Sequence, residues 1–136
     1  MTETKISGGC QCGAIYYEIE GELPPAYACH CGACKKQSAS AFSLSIPIPF
    51  SRLSVKGEPA MFNTVGYSGA VKHCYFCRDC GTRMWHRSAA KPENVALKAG
   101  TLDRSDDIAP TFHLWVSRKQ AGVILDPTIP TYDTQP

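Results

Sequence analysis

Eight cysteines constrain this chain more than any other feature, because they fall into three tight clusters: Cys10-x-Cys12, Cys29-x-Cys31-x2-Cys34 and Cys74-x2-Cys77-x2-Cys80. Spacings of one or two residues suit metal chelation better than disulfide pairing. In an extended segment alternate side chains share a face, so Cys10 and Cys12 are expected to point the same way, as are Cys29 and Cys31. A Cys-x2-Cys turn likewise converges two sulfurs, and four thiolates at about 2.3 Å satisfy tetrahedral zinc. The chain reads as a zinc protein, and what remains is how the thiols divide among metals.

Two closed four-cysteine sites would consume all eight thiols, whereas one closed site and one three-thiolate site would leave one over. The difference has chemical weight, since structural zinc is four-coordinate by protein and catalytic zinc keeps a position open. Spacing favours Cys10 and Cys12 with Cys77 and Cys80 as two clips from distant parts of the chain. Cys29, Cys31 and Cys34 are then a local trio whose fourth ligand would be Cys74, a histidine, water or substrate. His30 lies between two of these cysteines, and alternation turns its ring away from their metal, toward a supporting or surface role. Cys74 reads as a small packed residue or free thiol. His73, His86 and His113 fall in strand-like contexts and read as structural.

At 136 residues the chain is expected to be a single domain over 1–136, long enough to bury a core without a metal in place of one. A hydrophobic fraction of 43% and a charged fraction of 19% are those of an ordinary soluble protein. No apolar run suits a membrane span, and Met1–Lys5 lacks the features of a secretory signal, so a reducing cytoplasmic setting is expected. The net charge of +2 does not point to nucleic acid. Basic residues near the clusters (Lys35, Lys36, Arg78, Arg83, Arg87) either offset thiolate charge or hold a ligand. Asp106-Asp107 reads as a solvated turn.

Period-two alternation outweighs helical periodicity. Strands are expected over Ala14–Ile19, Phe42–Ile46, Thr82–His86, Val95–Ala99 and Phe112–Val116, with Ile15, Tyr17 and Ile19 on one face. Ten prolines and eleven glycines punctuate the chain, and Gly32–Ser38 has room for a short helical turn. The expected fold is mainly β, with small sheets clamped by zinc and aromatics mostly at core positions. The tail Asp126–Pro136 is expected to pack extended or fray.

The same residues carry a resemblance. Gly8-Gly9-Cys10-Gln11-Cys12-Gly13, Cys29-His30-Cys31-Gly32-Ala33-Cys34-Lys35-Lys36-Gln37-Ser38, Gly57-Glu58-Pro59, Phe76-Cys77-Arg78-Asp79-Cys80-Gly81-Thr82 and His113-Leu114-Trp115-Val116-Ser117 occur in an order and spacing that resembles the glutathione-dependent formaldehyde-activating enzyme family, whose domain is also that of centromere protein V. The likeness runs from about Ser7 to Tyr132. It implies a β-tent fold and two zinc ions. Cys10, Cys12, Cys77 and Cys80 match structural ligands, and Cys29, Cys31 and Cys34 match the ligands of a second, catalytic-type zinc. It also implies a carbon–sulfur lyase chemistry that joins a thiol such as glutathione to an aldehyde, formaldehyde in the family, or separates them. Lys35, Lys36 or Arg83 are candidates to hold peptide carboxylates. The chain departs from the family pattern at Ala39, where glycine is common, at the extra Cys74, and at Ala121-Gly122, where a bulky pair is frequent and its loss is expected to reshape a pocket. The rival expectation is a zinc-stabilised binding module without catalysis, with Cys74 closing the second site. A nucleic-acid-binding surface is the third and least supported.

Overall fold

β-branched and aromatic runs cut short by proline and glycine give ten strands and one short helix in the computed structural model, which describes residues 5–136. Apart from Lys5, the Met1–Lys5 stretch read for a secretory signal lies outside the described residues. In chain order the elements are β1 (Ile6–Gly9), β2 (Tyr16–Ile19), β3 (Ala26–Cys29), α1 (Gly32–Ser38), β4 (Ser43–Pro49), β5 (Leu53–Lys56), β6 (Ala60–Val65), β7 (Val71–Phe76), β8 (Arg83–Ser88), β9 (Asn94–Lys98) and β10 (Pro110–Leu114). β1, β2 and β5 make a three-stranded sheet. The remaining strands form a seven-stranded sheet in the order β10-β3-β4-β9-β8-β7-β6. All pairings are antiparallel except β10 beside β3, so the fold is mainly β as expected.

Alternation in the second strand is obeyed. Ile15, Tyr17 and Ile19 are buried while Tyr16 is exposed. The Tyr17 hydroxyl meets the Thr101 hydroxyl at 2.7 Å, which satisfies a buried polar tip. Gly8 faces Tyr17 across the β1–β2 pair, and a Cβ there would lie 2.3 Å from the phenol oxygen and 2.4 Å from the Thr101 carbonyl. Only glycine lets β1 pass so close to the Tyr17 phenol and the Ala99–Thr101 turn.

The strands expected over Thr82–His86 and Val95–Ala99 are found as β8 and β9, and the differences elsewhere are of bounds and burial. The strand expected over Phe42–Ile46 runs on as β4 through Pro47 and Pro49. Those prolines are tolerated because β3 pairs with β4 only over Ser43–Ser45, and β9 alone flanks the rest. Both faces of β4 are covered near its start: Ser43 and Ser45, on the polar side of the alternation, are buried. They accept hydrogen bonds from the ammonium of Lys98 at 3.0 and 3.4 Å, respectively. The strand expected over Phe112–Val116 ends at Leu114, because Trp115 adopts a left-handed conformation (φ 59°) and Val116–Arg118 form a 3-10 turn. Strands β6 and β7 carry no clean alternation. In and beside them Met61, Phe62, Val65 and Tyr67 are exposed, so aromatics are not confined to the core.

The tail does not fray. His113 accepts from the Tyr132 amide at 2.9 Å, Trp115 donates to the Thr134 carbonyl at 3.2 Å, and Ser117 donates through its hydroxyl to Asp133. Ala121-Gly122 lie in an exposed turn, and a Cβ on Gly122 would meet nothing within 4 Å. They border neither of the cavities described below.

Candidate metal centres

The first thiol cluster is built from two knuckles that face each other. Cys10 and Cys12 follow β1, but not as an extended segment. The chain turns at once, with the Gly13 amide donating to the Cys10 carbonyl at 3.1 Å and Gly13 at φ 82°. The convergence expected from strand alternation is therefore achieved by a turn, which aims the amide of Ile15 at the Cys10 sulfur (3.2 Å). Cys77 and Cys80 form the matching knuckle between β7 and β8, closed by the Gly81 amide on the Cys77 carbonyl at 2.8 Å. Thr82 ties the two together, since its hydroxyl accepts from the Gln11 amide at 3.1 Å and lies 3.2 Å from the Cys80 sulfur. The Thr82 hydroxyl and amide stabilise the Cys80 thiolate and bring its pKa down to about 5.

All four sulfurs lie within 4.8 Å of one another, and Cys12 stands 3.7 Å from both Cys10 and Cys77. A tetrahedron with metal–sulfur bonds of about 2.3 Å has edges of about 3.8 Å, so the spacing fits a metal. It is far from the roughly 2.05 Å of a disulfide. Cys10 and Cys77 are buried within the main apolar core, and Cys12 is exposed. This cluster closes the link between the N-terminal strands and the β7–β8 hairpin.

The second cluster sits where β3 meets α1. Cys29 ends the strand, Cys31 caps the helix in an extended conformation and takes the Cys34 amide on its sulfur at 3.3 Å, and Cys34 lies in the first turn. The three sulfurs lie within 4.8 Å of one another. They oppose each other's ionisation: hydrogen bonds from Cys29 and Cys34 pull Cys31 below the usual thiol range, and contacts with Cys29 and then Cys31 push Cys34 above it. A cation among them would let all three be thiolates, so this donor set also fits a metal.

Among the described residues no fourth cysteine or histidine joins this trio. Cys74, the candidate to close it, is buried in β7 opposite Phe62 and His86 and belongs to neither cluster. His30 is turned away as alternation implies, but it is fully buried rather than on the surface. Its Nε2 meets Nδ1 of His113 at 3.0 Å, and its ring packs on Phe42. His73 bonds Asn63 at 2.6 Å.

The open side of the trio faces a cavity of about 280 Å³. Its wall includes Tyr27, Lys72, His86 and Gln135, and the β6–β7 hairpin tip reaches over it, with the Tyr67 ring against Trp115 at 4.4 Å between ring centres and tilted by 31°. Trp115, held in its left-handed backbone conformation, thus sits at the rim, a place where strain is often stored. Burial and the nearby cations Lys98, Lys72 and Arg83 push His86 down to about 2, so its ring is neutral, and its buried Nδ1 has no partner. Burial and the adjoining thiols hold the Tyr27 phenol protonated up to about pH 12.

Sequence reasoning missed Lys98. It lies eighteen residues beyond the last cysteine, at the end of a strand where the three residues before it, Val95, Ala96 and Leu97, are apolar, and only the fold brings it near the trio. Of the three basic residues expected to hold carboxylates, Lys35 is engaged with the Arg118 carbonyl at 2.7 Å, Lys36 is exposed, and Arg83 lines a cavity. Ala39, in the glycine position of the family, adopts φ 50° as the C-cap of α1, which costs an alanine about 1 kcal/mol and explains the usual glycine.

A mainly β chain whose two thiol clusters could each hold a metal ion is the class defined by this fold and these sites. The sequence profile of the glutathione-dependent formaldehyde-activating enzyme family matches residues 5–118, and the chain belongs to that family. The match stops short of the Tyr132 limit expected from the motifs. Curated relatives in Aspergillus flavus and Aspergillus oryzae bear the family's name in provisional form and are 27% identical over 78 residues, which is 57% of this chain and 40% of theirs. One in Penicillium rubens is 28% identical over 80 residues, 57% of this chain and 41% of its own. The chain thus spans about 40% of the length of the curated relatives it matches. A crystal structure of a Rhodobacter sphaeroides protein shares the fold, with a TM-score of 0.56, 19% identity, and coverage of 93% of this chain and 98% of that one.

Proposed function

We propose that the protein is a zinc-dependent carbon–sulfur lyase that makes or cleaves the adduct of a thiol and an aldehyde. Glutathione and formaldehyde are the pair suggested by the family name. The observation that carries this reading is the three-thiol cluster beside a cavity, with no fourth side-chain ligand among the described residues. Cys10, Cys12, Cys77 and Cys80 hold a closed structural zinc, and Cys29, Cys31 and Cys34 hold one with a position left for substrate. Such a zinc supplies a lowered pKa for a bound thiol, which keeps the sulfur as a thiolate at neutral pH.

The protein's own residues supply the rest. The cavity admits the thiol, and Tyr67 and Trp115 narrow its mouth. Tyr27, protonated throughout the physiological range, offers a hydroxyl to the oxygen of the aldehyde or of the hemithioacetal. Neutral His86 forms part of the same wall and adds no positive imidazole beside the thiolates. A binding module without catalysis would require the second metal to be enclosed, and Cys74 is not placed to do that.

The test is exchange spectroscopy on carbon-13 formaldehyde mixed with glutathione. Catalytic amounts of metal-loaded protein are expected to accelerate interconversion of free and glutathione-bound formaldehyde in proportion to protein concentration. Stripping the second metal is expected to return the rate to that of buffer. Rates equal to buffer with fully loaded protein would overturn the reading for this substrate pair.

A further inference from the structure

A second cavity, of about 590 Å³, lies between α1 and the Cys80–Gly81–Thr82 turn. Its lining holds two cationic residues, Lys98 and Arg83, with hydroxyls from Ser38, Ser43 and Thr82, and no acidic residue. Lys98 is only 8% exposed, and its ammonium is met by the Ser43 and Ser45 hydroxyls alone. Among the described residues no carboxylate lies within ion-pair distance of it. Burial lowers the Lys98 pKa and opposes its charge, and a neighbouring anion is what holds such a buried amine as the cation. The thiol trio supplies part of that charge from one side. The cavity offers room for an anion on the other.

The two cavities are neighbours. Both are lined by Gln37, which lies one helical turn beyond Cys34, and the Oε1 of Gln37 is buried without a partner. Ser45, which holds Lys98, lines the cavity of the trio, and Ser43, which also holds it, lines the larger one. The sulfur of a cysteinyl peptide stands about 7 Å from its flanking carboxylate, roughly two extended residue lengths. One helical turn spans about 5 Å. A peptide thiol whose sulfur enters the first cavity therefore has the reach to place a carboxylate in the second.

We infer that the larger cavity is a carboxylate-binding site, with Lys98 as its buried cation and Arg83 at its side, and that the carboxylate it takes is borne by the thiol substrate. This rests on the reading of the trio as the place where the thiol binds. Charge-assisted hydrogen bonds to a buried carboxylate make this site the discriminator between peptide thiols and neutral ones of similar size.

The test uses S-methylglutathione, whose capped sulfur removes the metal bond from the measurement, with binding followed by calorimetry on the metal-loaded protein. Lys98→Met is expected to weaken its binding by about tenfold or more, and Arg83→Gln to weaken it by a smaller factor in the same direction. Its diethyl ester is expected to bind wild type and both variants equally weakly. Acetate is expected to compete with S-methylglutathione in wild type. If Lys98→Met does not fold, Arg83→Gln carries the same comparison. Unchanged affinity in the folded variants, or an ester that binds as tightly as the acid, would overturn the inference. So would acetate binding that depends on Lys98 while S-methylglutathione does not bind at all, since the site would then serve a free anion. Cys31→Ser distinguishes the two proposals: it is expected to lose turnover and keep S-methylglutathione binding. Full turnover in that variant sinks the role of the trio and the reach argument with it, whereas lost turnover together with S-methylglutathione affinity that Lys98→Met and Arg83→Gln leave unchanged sinks the carboxylate site alone.

Discussion

Cys31→Ser is expected to abolish thiol–aldehyde exchange while the protein remains folded, and to reduce bound zinc from about two equivalents to about one. Cys31 sits at the junction of β3 and α1, where its sulfur also receives the Cys34 amide. A serine keeps that cap, because a hydroxyl is a good acceptor at a helix N-terminus, so the helix should survive. What it loses is one of three thiolates. Replacing a group that only supports a metal ligand commonly costs 10- to 100-fold, so removing a ligand should cost at least about 100-fold in rate. The trio is peripheral to the main apolar cluster, packing with Leu114 and partly buried aromatics, which confines the damage. Zinc analysis, exchange rate and melting temperature on one preparation check all three parts. A variant that keeps its rate would remove the trio from the reaction.

Cys77→Ser should fail in the opposite manner, losing the fold along with the activity. Cys77 is 1% exposed, lies inside the main core cluster with Cys10, and its knuckle joins β7 to β8. A metal held by this quartet would tie these strands to the turn after β1, some 65 residues earlier in the chain. Where no such site exists in the unfolded chain, metal binding is folding free energy. A domain of this size is stable by only about 5–15 kcal/mol, so loss of a structural zinc removes most of the margin. The expected result is insoluble protein or a melting temperature lower by about 15 °C or more. Chelation of wild type at the closed site should reproduce it. A well-folded Cys77→Ser protein with two zinc ions would contradict the division of thiols.

The grouping of the sulfurs into a quartet and a trio was legible in the sequence because short, local spacings bring thiols together. Cys10-x-Cys12 and Cys77-x2-Cys80 each form a self-contained turn, and only their meeting depends on the fold. The strand alternation of Ile15, Tyr17 and Ile19 was legible for a similar reason, since one sheet face alone is buried there. The substrate side was not. Ser43 and Ser45 look like a solvent face until β4 is seen to be covered on both sides, and Lys98 looks like a strand-end charge until it meets them. Tyr67 and Trp115 are 48 residues apart and touch because the β6–β7 hairpin extends over the trio. Thiols that could share a metal declare themselves by spacing, whereas residues that shape a cavity are assembled from elements remote in the chain.

The most direct measurement is zinc K-edge X-ray absorption on fully loaded protein, before and after glutathione is added. One closed four-sulfur site and one three-sulfur site with an open position give a mean of about 3.5 sulfur ligands per zinc, rising to about 4 when the substrate thiol binds. A mean of 4 before the thiol is added, unchanged after it, would place a fourth protein sulfur on both metals and contradict an open catalytic position.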